Sequence, residues 1–126
     1  MTNKRFIDDD SFIPPEDVAK AATLGLELHK KFNRGGTKVG WARARQLKSR
    51  EAVSRKDIVN ISSYFARHEV DKKAENFNDK DEPSNGYIAW LLWGGDPGKK
   101  WADNLKEKFK NYSKNDIGTK VTTMST

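Results

Sequence analysis

The sequence predicts an all-α protein, a compact domain of five helices around a short, buried, tryptophan-rich helix. Apolar residues recur at helical spacing through most of the chain, and no segment shows the alternation of a strand. Clusters of proline, glycine and aspartate mark where helices begin and end. Residues 88–93 are apolar throughout, in a chain of which 33% is charged. This run has no polar face to offer water, so we expect the other helices to pack around it.

The 126 residues suffice for one domain with a modest core. We expect a flexible arm over residues 1–13, a helical domain over 14–112 and a disordered tail over 113–126, where apolar periodicity ends. Cysteine is absent, which excludes disulfides and thiolate metal sites. The first residues lack an apolar signal segment, and the run at 88–93 is shorter than the ~20 apolar residues of a bilayer span. We therefore expect a protein that is neither secreted nor bound to a membrane.

End signals and apolar spacing predict the first two helices. The first covers about residues 16–32, and small residues on its inner face would let another helix approach closely. The second begins after a turn at 33–36, with Thr37 as its N-cap. The residues expected to face inward on the second helix are Val39, Ala42 and Leu47.

The remaining three helices follow from the same signals. Ser54 is expected to cap the third helix, with Asp57 at the third position, close to a capping box. The charged segment 72–83 is expected to be a solvated loop. A short fourth helix covers about 87–93, and an aspartate followed by proline opens the fifth. The expected inner-face residues of the third and fifth helices are Ile58, Ile61, Phe65 and His68, and Trp101, Leu105, Phe109 and Tyr112.

Positive charge is concentrated in one part of the chain. The net charge is +6, yet residues 21–50 alone hold eight basic side chains and one acidic one, a local net charge of +7. Such an excess predicts a polyanionic partner, because charge of one sign governs association more than fold.

Three blocks of sequence occur in a characteristic order. They are Gly-Gly-Thr at 35–37 with Ala-Arg-Ala-Arg-Gln-Leu at 42–47, Tyr-Phe-Ala-Arg-His-Glu-Val-Asp-Lys at 64–72, and Ile-Ala-Trp-Leu-Leu-Trp-Gly-Gly-Asp at 88–96. Together they resemble a small module of bacteriophage and prophage proteins, sometimes appended to head-maturation-protease-like or other large phage polypeptides. The resemblance covers about residues 14–108. It implies a phage origin, work on the phage genome, the capsid or host components, and a place in the host cytoplasm or the virion interior.

We expect a non-enzymatic accessory protein that binds nucleic acid, in the first instance DNA, through its second and third helices. A short turn joins these helices in the outline of a helix-turn-helix. Trp41 could instead stack on an unpaired base, or simply pack on a neighbouring helix. The expected nucleic-acid-binding residues are Lys30, Lys31, Arg34, Lys38, Trp41, Arg45, Lys48, Arg55, Lys56, Asn60 and Arg67.

An alternative is a protein-interaction module for virion assembly or for modulating a host protein. The same basic surface would then meet an acidic protein, with aromatic residues as anchors. The sequence leaves the oligomeric state open.

The histidines, Arg43 and the glycine turn are expected to have structural roles rather than catalytic or metal-binding ones. His68 lacks the second histidine of an HExxH zinc motif, so we expect both histidines to be hydrogen-bonded at the edge of the core. Arg43 is expected to point inward and to pair with Glu69 or Asp96, while the glycine turn at 34–36 offers an alternative anion pocket. No catalytic residues, cofactor or metal are expected.

Overall fold

The computed structural model describes the backbone of residues 11–125 and the side chains of residues 11–110. Over that range the chain forms five α-helices and one pair of very short strands, which confirms the all-α fold. A 3₁₀ turn, Glu69–Lys73, follows the third helix. In chain order the elements are β1 (Ser11–Phe12), α1 (Glu16–Phe32), α2 (Lys38–Lys48), β2 (Val53–Ser54), α3 (Arg55–His68), α4 (Asn85–Leu92) and α5 (Gly95–Ser125).

The two ends of the chain are described only in part. The expected arm at 1–13 and the expected tail at 113–126 fall largely on residues outside the described side chains, and they stay predictions. The backbone of α5 continues beyond the helix end expected near residue 112. Near the N-terminus, β1 pairs antiparallel with β2, a pairing that the sequence does not predict. Among the described residues, no helix combines the length and apolar character needed to cross a bilayer.

Helix α4 is the centre of the fold, as predicted. Ile88, Trp90, Leu91 and Leu92 are buried, and every other helix packs against this segment. The indole nitrogen of Trp90 donates a hydrogen bond to Asp96 Oδ1 at 2.9 Å. Because that N–H has a partner, burying the tryptophan leaves no polar group unsatisfied.

The small residues of α1 permit a close contact with α4 in the core. Ala22 and Gly25 are buried on the face of α1 that meets α4. A Cβ atom placed on Gly25 would lie 2.7 Å from the backbone nitrogen of Leu92 and 3.0 Å from the carbonyl carbon of Leu91. The two helix backbones therefore touch at this point, as the run of small residues predicts.

Helix α2 is rotated relative to the prediction. Val39 is 64% exposed and Ala42 is also exposed, whereas Leu47 is buried as expected. The buried stripe consists of Gly40, Ala44 and Leu47, at i, i+4 and i+7. A Cβ atom on Gly40 would lie 3.2 Å from the indole nitrogen of Trp93, so small residues face the core where that large ring fills the space.

The segment between α3 and α4, predicted as a solvated, charged loop interrupted by Phe77, is anchored to the core at two apolar residues. Phe77 packs against the core, with its ring edge-on to Tyr87 at 5.1 Å and to Trp90 at 6.2 Å between centroids. Pro83 is fully buried. The charged residues on either side of Phe77 remain exposed, so an apolar anchor is hidden inside a hydrophilic stretch.

Changing Gly25 to alanine should destabilise the protein. In a helix interior this change normally stabilises by roughly 0.5–1 kcal/mol, but here the new methyl meets the α4 backbone. We expect the free energy of unfolding in urea, followed by circular dichroism, to fall by about 1–3 kcal/mol. Lys20→Ala on the exposed face of α1 is the control, expected within ~0.5 kcal/mol of wild type. A Gly25→Ala variant as stable as wild type would contradict the backbone contact.

A polar link joins α3 to α5. Ser62 is buried, and its hydroxyl donates to Asp103 Oδ1 at 2.6 Å, while Lys99 Nζ donates to Asp103 Oδ2 at 2.8 Å. Partial burial acts to raise the pKa of Asp103, but the hydrogen bonds from Lys99 and Ser62 outweigh it and hold that pKa below the usual value of 3.8. Folding therefore favours the ionised carboxylate.

The link between Asp103, Ser62 and Lys99 predicts a pH-dependent contribution to stability. A carboxyl whose pKa is lowered by folding stabilises above its unfolded pKa, near 3.8, and loses that effect as the pH falls through the folded value. Asp103→Asn should thus lower the free energy of unfolding at pH 7 by roughly 1 kcal/mol or less, and by progressively less below pH 3.8. Urea unfolding from pH 7 to pH 2 measures this, with the exposed Asp81→Asn as control. A difference that stays constant over that range would contradict the link.

Candidate nucleic-acid interface

The turn between α1 and α2 is fixed by its glycines. Gly35 and Gly36 have φ angles of +90° and +78°, in the region that L side chains rarely adopt. A Cβ atom on Gly35 would lie 2.6 Å from the Ile88 side chain, so the turn sits directly on α4. Thr37 then caps α2 by accepting a hydrogen bond from the Gly40 N–H at 3.3 Å, as predicted. These roles explain the glycines without an anion pocket.

The outer face of α2 carries basic residues along its length. Lys38, Arg45 and Lys48 are exposed, and the helix contains no acidic residue. Lys38 and Arg45 lie two turns apart on one stripe. From Lys38 to Lys48 the helix rises about 15 Å. This face is therefore a rigid row of cations.

Three further cations lie where α1 ends and turns into α2. Lys30 and Lys31 are exposed, and Arg34 is half-buried. The Arg34 guanidinium donates to Asn85 Oδ1 at 2.6 Å and lies 5.4 Å from the centroid of the Phe32 ring. Because asparagine is neutral, this contact orients Arg34 without cancelling its charge.

Helix α3 presents a second row of polar groups. Lys56, Asn60, Ser63 and Arg67 recur at i, i+4, i+7 and i+11, and Lys56, Asn60 and Arg67 are exposed. The row is about 16 Å long. The Asn60 amide makes a long contact of 3.5 Å with Asp57.

Arg55 and Trp41, both expected to bind nucleic acid, do not belong to the exposed rows on α2 and α3. Arg55 is half-buried and lies 4.7 Å from the centroid of the Phe109 ring, against α5. Trp41 donates its indole N–H to the Gly35 carbonyl at 3.0 Å, and its ring lies 4.4 Å from that of His29. The geometry favours the alternative in which Trp41 packs on neighbouring segments.

Arg43 points inward as predicted, but its expected partners are wrong. Its guanidinium lies 3.3 Å from Asp57, and the two side chains are 12% and 35% exposed. Asp96 is instead engaged by Lys72 at 3.1 Å, and Glu69 also pairs with Lys72. The sequence hides this pairing because Asp57 also occupies the first turn of α3, where an acid is expected for helix capping alone.

A tryptophan lies between α2 and α3. The Trp93 ring is stacked on Tyr64, with centroids 4.5 Å apart and an interplanar angle of 6°, and Arg43 lies 5.5 Å from the Trp93 centroid. Helix α2 packs mainly on α1 and α4, whereas α3 packs mainly on α5.

The link between α2 and α3 differs from that of a helix-turn-helix. Residues 49–54 join α2 to α3, a longer link than the 3–4-residue turn of that motif. Docking as a helix-turn-helix stays a prediction.

The two histidines have separate hydrogen-bond partners. His29 Nδ1 lies 2.9 Å from the Arg34 carbonyl oxygen, and His68 Nδ1 lies 3.1 Å from Asp71 Oδ2. Within residues 11–110, no group of three or more histidine and carboxylate side chains is arranged to hold a metal ion.

Removing the carboxylate of Asp57 should destabilise the junction of α2 and α3. Asp57→Asn leaves the largely buried Arg43 guanidinium without an anionic partner, and we expect a loss of about 1–3 kcal/mol in the free energy of unfolding. Asp17→Asn is the matched control, because it removes the same charge from the first turn of α1 without breaking an ion pair among the described residues. Equal losses in the two variants would show that Arg43 gains nothing from Asp57.

In a comparison with known proteins, no protein-family model, curated protein or solved structure matches the chain.

Proposed function

We propose that this protein is a non-enzymatic binder of nucleic acid, DNA in the first instance. The contact surface, here called the basic surface, combines the end of α1 with the outer faces of α2 and α3. Its members are Lys30, Lys31, Arg34, Lys38, Arg45, Lys48, Lys56, Asn60 and Arg67. One observation carries the proposal: within the described part of the chain, none of the cations of this surface is paired with a carboxylate.

The pattern of pairing supports a polyanionic ligand. Arg43 and Arg50 have carboxylate partners in other elements of the fold, whereas Lys99 pairs with Asp103 on its own helix. Within the described residues, the cations of the basic surface make no such carboxylate pair, and the contact of Arg34 with α4 is to the neutral Asn85. Unpaired cations on rigid helices release counterions when they meet phosphates, and log Kobs then falls with log salt by about 0.9 per contact on duplex DNA.

The biological setting is a further part of the proposal. The three sequence blocks support an accessory role in phage infection, in the host cytoplasm or the virion interior. That setting rests on the resemblance alone, whereas nucleic-acid binding rests on the charges of the surface.

Reversing two charges of the basic surface should weaken DNA binding. We expect Arg45→Glu with Lys48→Glu to lower affinity for a labelled 20-base-pair duplex at least about tenfold, and to reduce the slope of log Kobs against log salt by about two. The matched control is Lys80→Glu with Lys100→Glu, which changes the net charge equally at exposed positions on the 72–83 loop and on α5. Fluorescence anisotropy over a salt series measures both. If the first variant is folded and binds as tightly as the control, the proposal is wrong.

A second candidate function has one observation in its favour. Val39 is 64% exposed and lies among the cations of α2. This side chain could make an apolar contact with a protein partner while the surrounding cations meet its acidic groups, and so favours an interaction module for an acidic protein in virion assembly or host modulation. The same anisotropy titration, applied to Val39→Ser, separates the two candidate functions. If the ligand is DNA, this variant should keep an affinity within about twofold of wild type, since phosphate contacts dominate. A protein partner would lose an apolar contact instead.

A further inference from the structure

We infer that the ligand of the basic surface is a B-form DNA duplex rather than a single strand or an RNA helix. This inference rests on the proposed function and narrows its ligand class. It depends on where the aromatic rings lie, on the rigidity of the two rows of polar groups, and on the order of side chains along α3.

The first argument concerns stacking. Proteins that hold single strands combine cations with exposed aromatic faces on which unpaired bases stack. Within residues 11–110, every aromatic side chain is at least half-buried. The large apolar side chains that are exposed in that range are all aliphatic, namely Ile13, Leu24, Val39 and Val70.

The rings nearest the basic surface are already occupied. Trp41 lies against His29, and Trp93 lies against Tyr64. The Phe32 ring is approached by Lys31 and Arg34, at 5.3 and 5.4 Å from its centroid. Cations are therefore plentiful on this surface, whereas none of the aromatic side chains described beside it is exposed.

The second argument concerns rigidity. The rows on α2 and α3 are about 15 and 16 Å long, and helical hydrogen bonds fix their spacing. A single strand changes shape easily and is best held by a groove that follows it. A duplex offers phosphates at fixed positions on either side of a major groove about 12 Å wide. Two rigid rows of this length suit the fixed ligand.

The third argument concerns the order of groups on α3. Lys56 and Arg67 stand at the ends of the row, and Asn60 and Ser63 lie between them. Cations at the ends suit phosphates, while an amide can donate to and accept from adenine in the major groove. The Asp57 carboxylate beside the row is offset by Arg43, so it does not repel a phosphate. The deep, narrow major groove of an RNA helix would exclude these side chains.

Competition with unlabelled nucleic acids tests the inference on the full chain. A labelled 20-base-pair DNA duplex is displaced by the same duplex, by each of its strands, and by an RNA duplex of the same sequence. We expect the DNA duplex to compete at least about tenfold better than the other three. Trp41→Phe should leave duplex affinity within about twofold, because the indole does not touch the ligand.

The α3 row has its own variant pair. Lys56→Gln with Arg67→Gln should weaken duplex binding at least about tenfold, whereas Lys80→Gln with Lys100→Gln should change it by less than about twofold. Both variants remove two exposed cations, so a change in net charge alone affects them equally. Equal affinities in the two variants would remove α3 from the contact surface and overturn the inference.

The outcomes separate this inference from the function on which it rests. If a single strand or the RNA duplex competes as well as the DNA duplex, the inference is wrong and nucleic-acid binding stands. If none of the nucleic acids binds at low salt, both fail together.

Discussion

The contact between α1 and α4 is the constraint on which the rest of the structure depends. At Gly25 the backbones of the two helices approach so closely that there is no room for a methyl group. This approach lets α1 cover one side of α4, and the glycine turn after α1 then brings Gly35 onto Ile88. A short helix without a polar face can thus be enclosed by a chain of modest length. Trp90 satisfies its one polar atom through Asp96, so the enclosure has no unpaired donor at its centre.

The position of the basic surface follows from how α2 and α3 pack around α4. Trp93 stands at the end of the enclosed helix and separates α2 from α3, and the Arg43–Asp57 pair joins them beside it. Lys72 pairs with Asp96 and so connects the 3₁₀ turn to α5, while Lys99 pairs with Asp103 within α5. Within the described residues, the cations of the basic surface have no carboxylate partner, and all of them except the half-buried Arg34 are exposed. The cations that pair within the fold and the cations of the basic surface are therefore different members of the same abundant class of residues.

Much of the architecture follows from local chemistry and could be predicted from the sequence. Thr37 and Ser54 cap their helices through their own side chains, because the bonds they make reach only three residues along the chain. The enclosure of 88–93 follows from composition, since a helix that is apolar on every face must be covered. The small residues of α1 indicate a close helix contact, although they do not say which helix makes it. Most positions of the candidate site could also be proposed, because an unpaired basic residue on a polar helix face is exposed wherever the helix packs.

The sequence alone thus determined the number of helices, the caps of α2 and α3, the buried run and the abundance of outward-facing cations. Only the tertiary structure decided the phase of α2, where a neighbouring ring made Gly40 the buried residue and left Val39 in solvent. It also decided that Arg43 pairs with Asp57, and that Phe77 anchors a stretch that is otherwise hydrophilic. The reason is physical: propensity, capping and periodicity act within a few residues, whereas the partner of a side chain depends on helices that are distant in sequence. Which faces meet is a property of packing, and packing is resolved only when all five helices are in place.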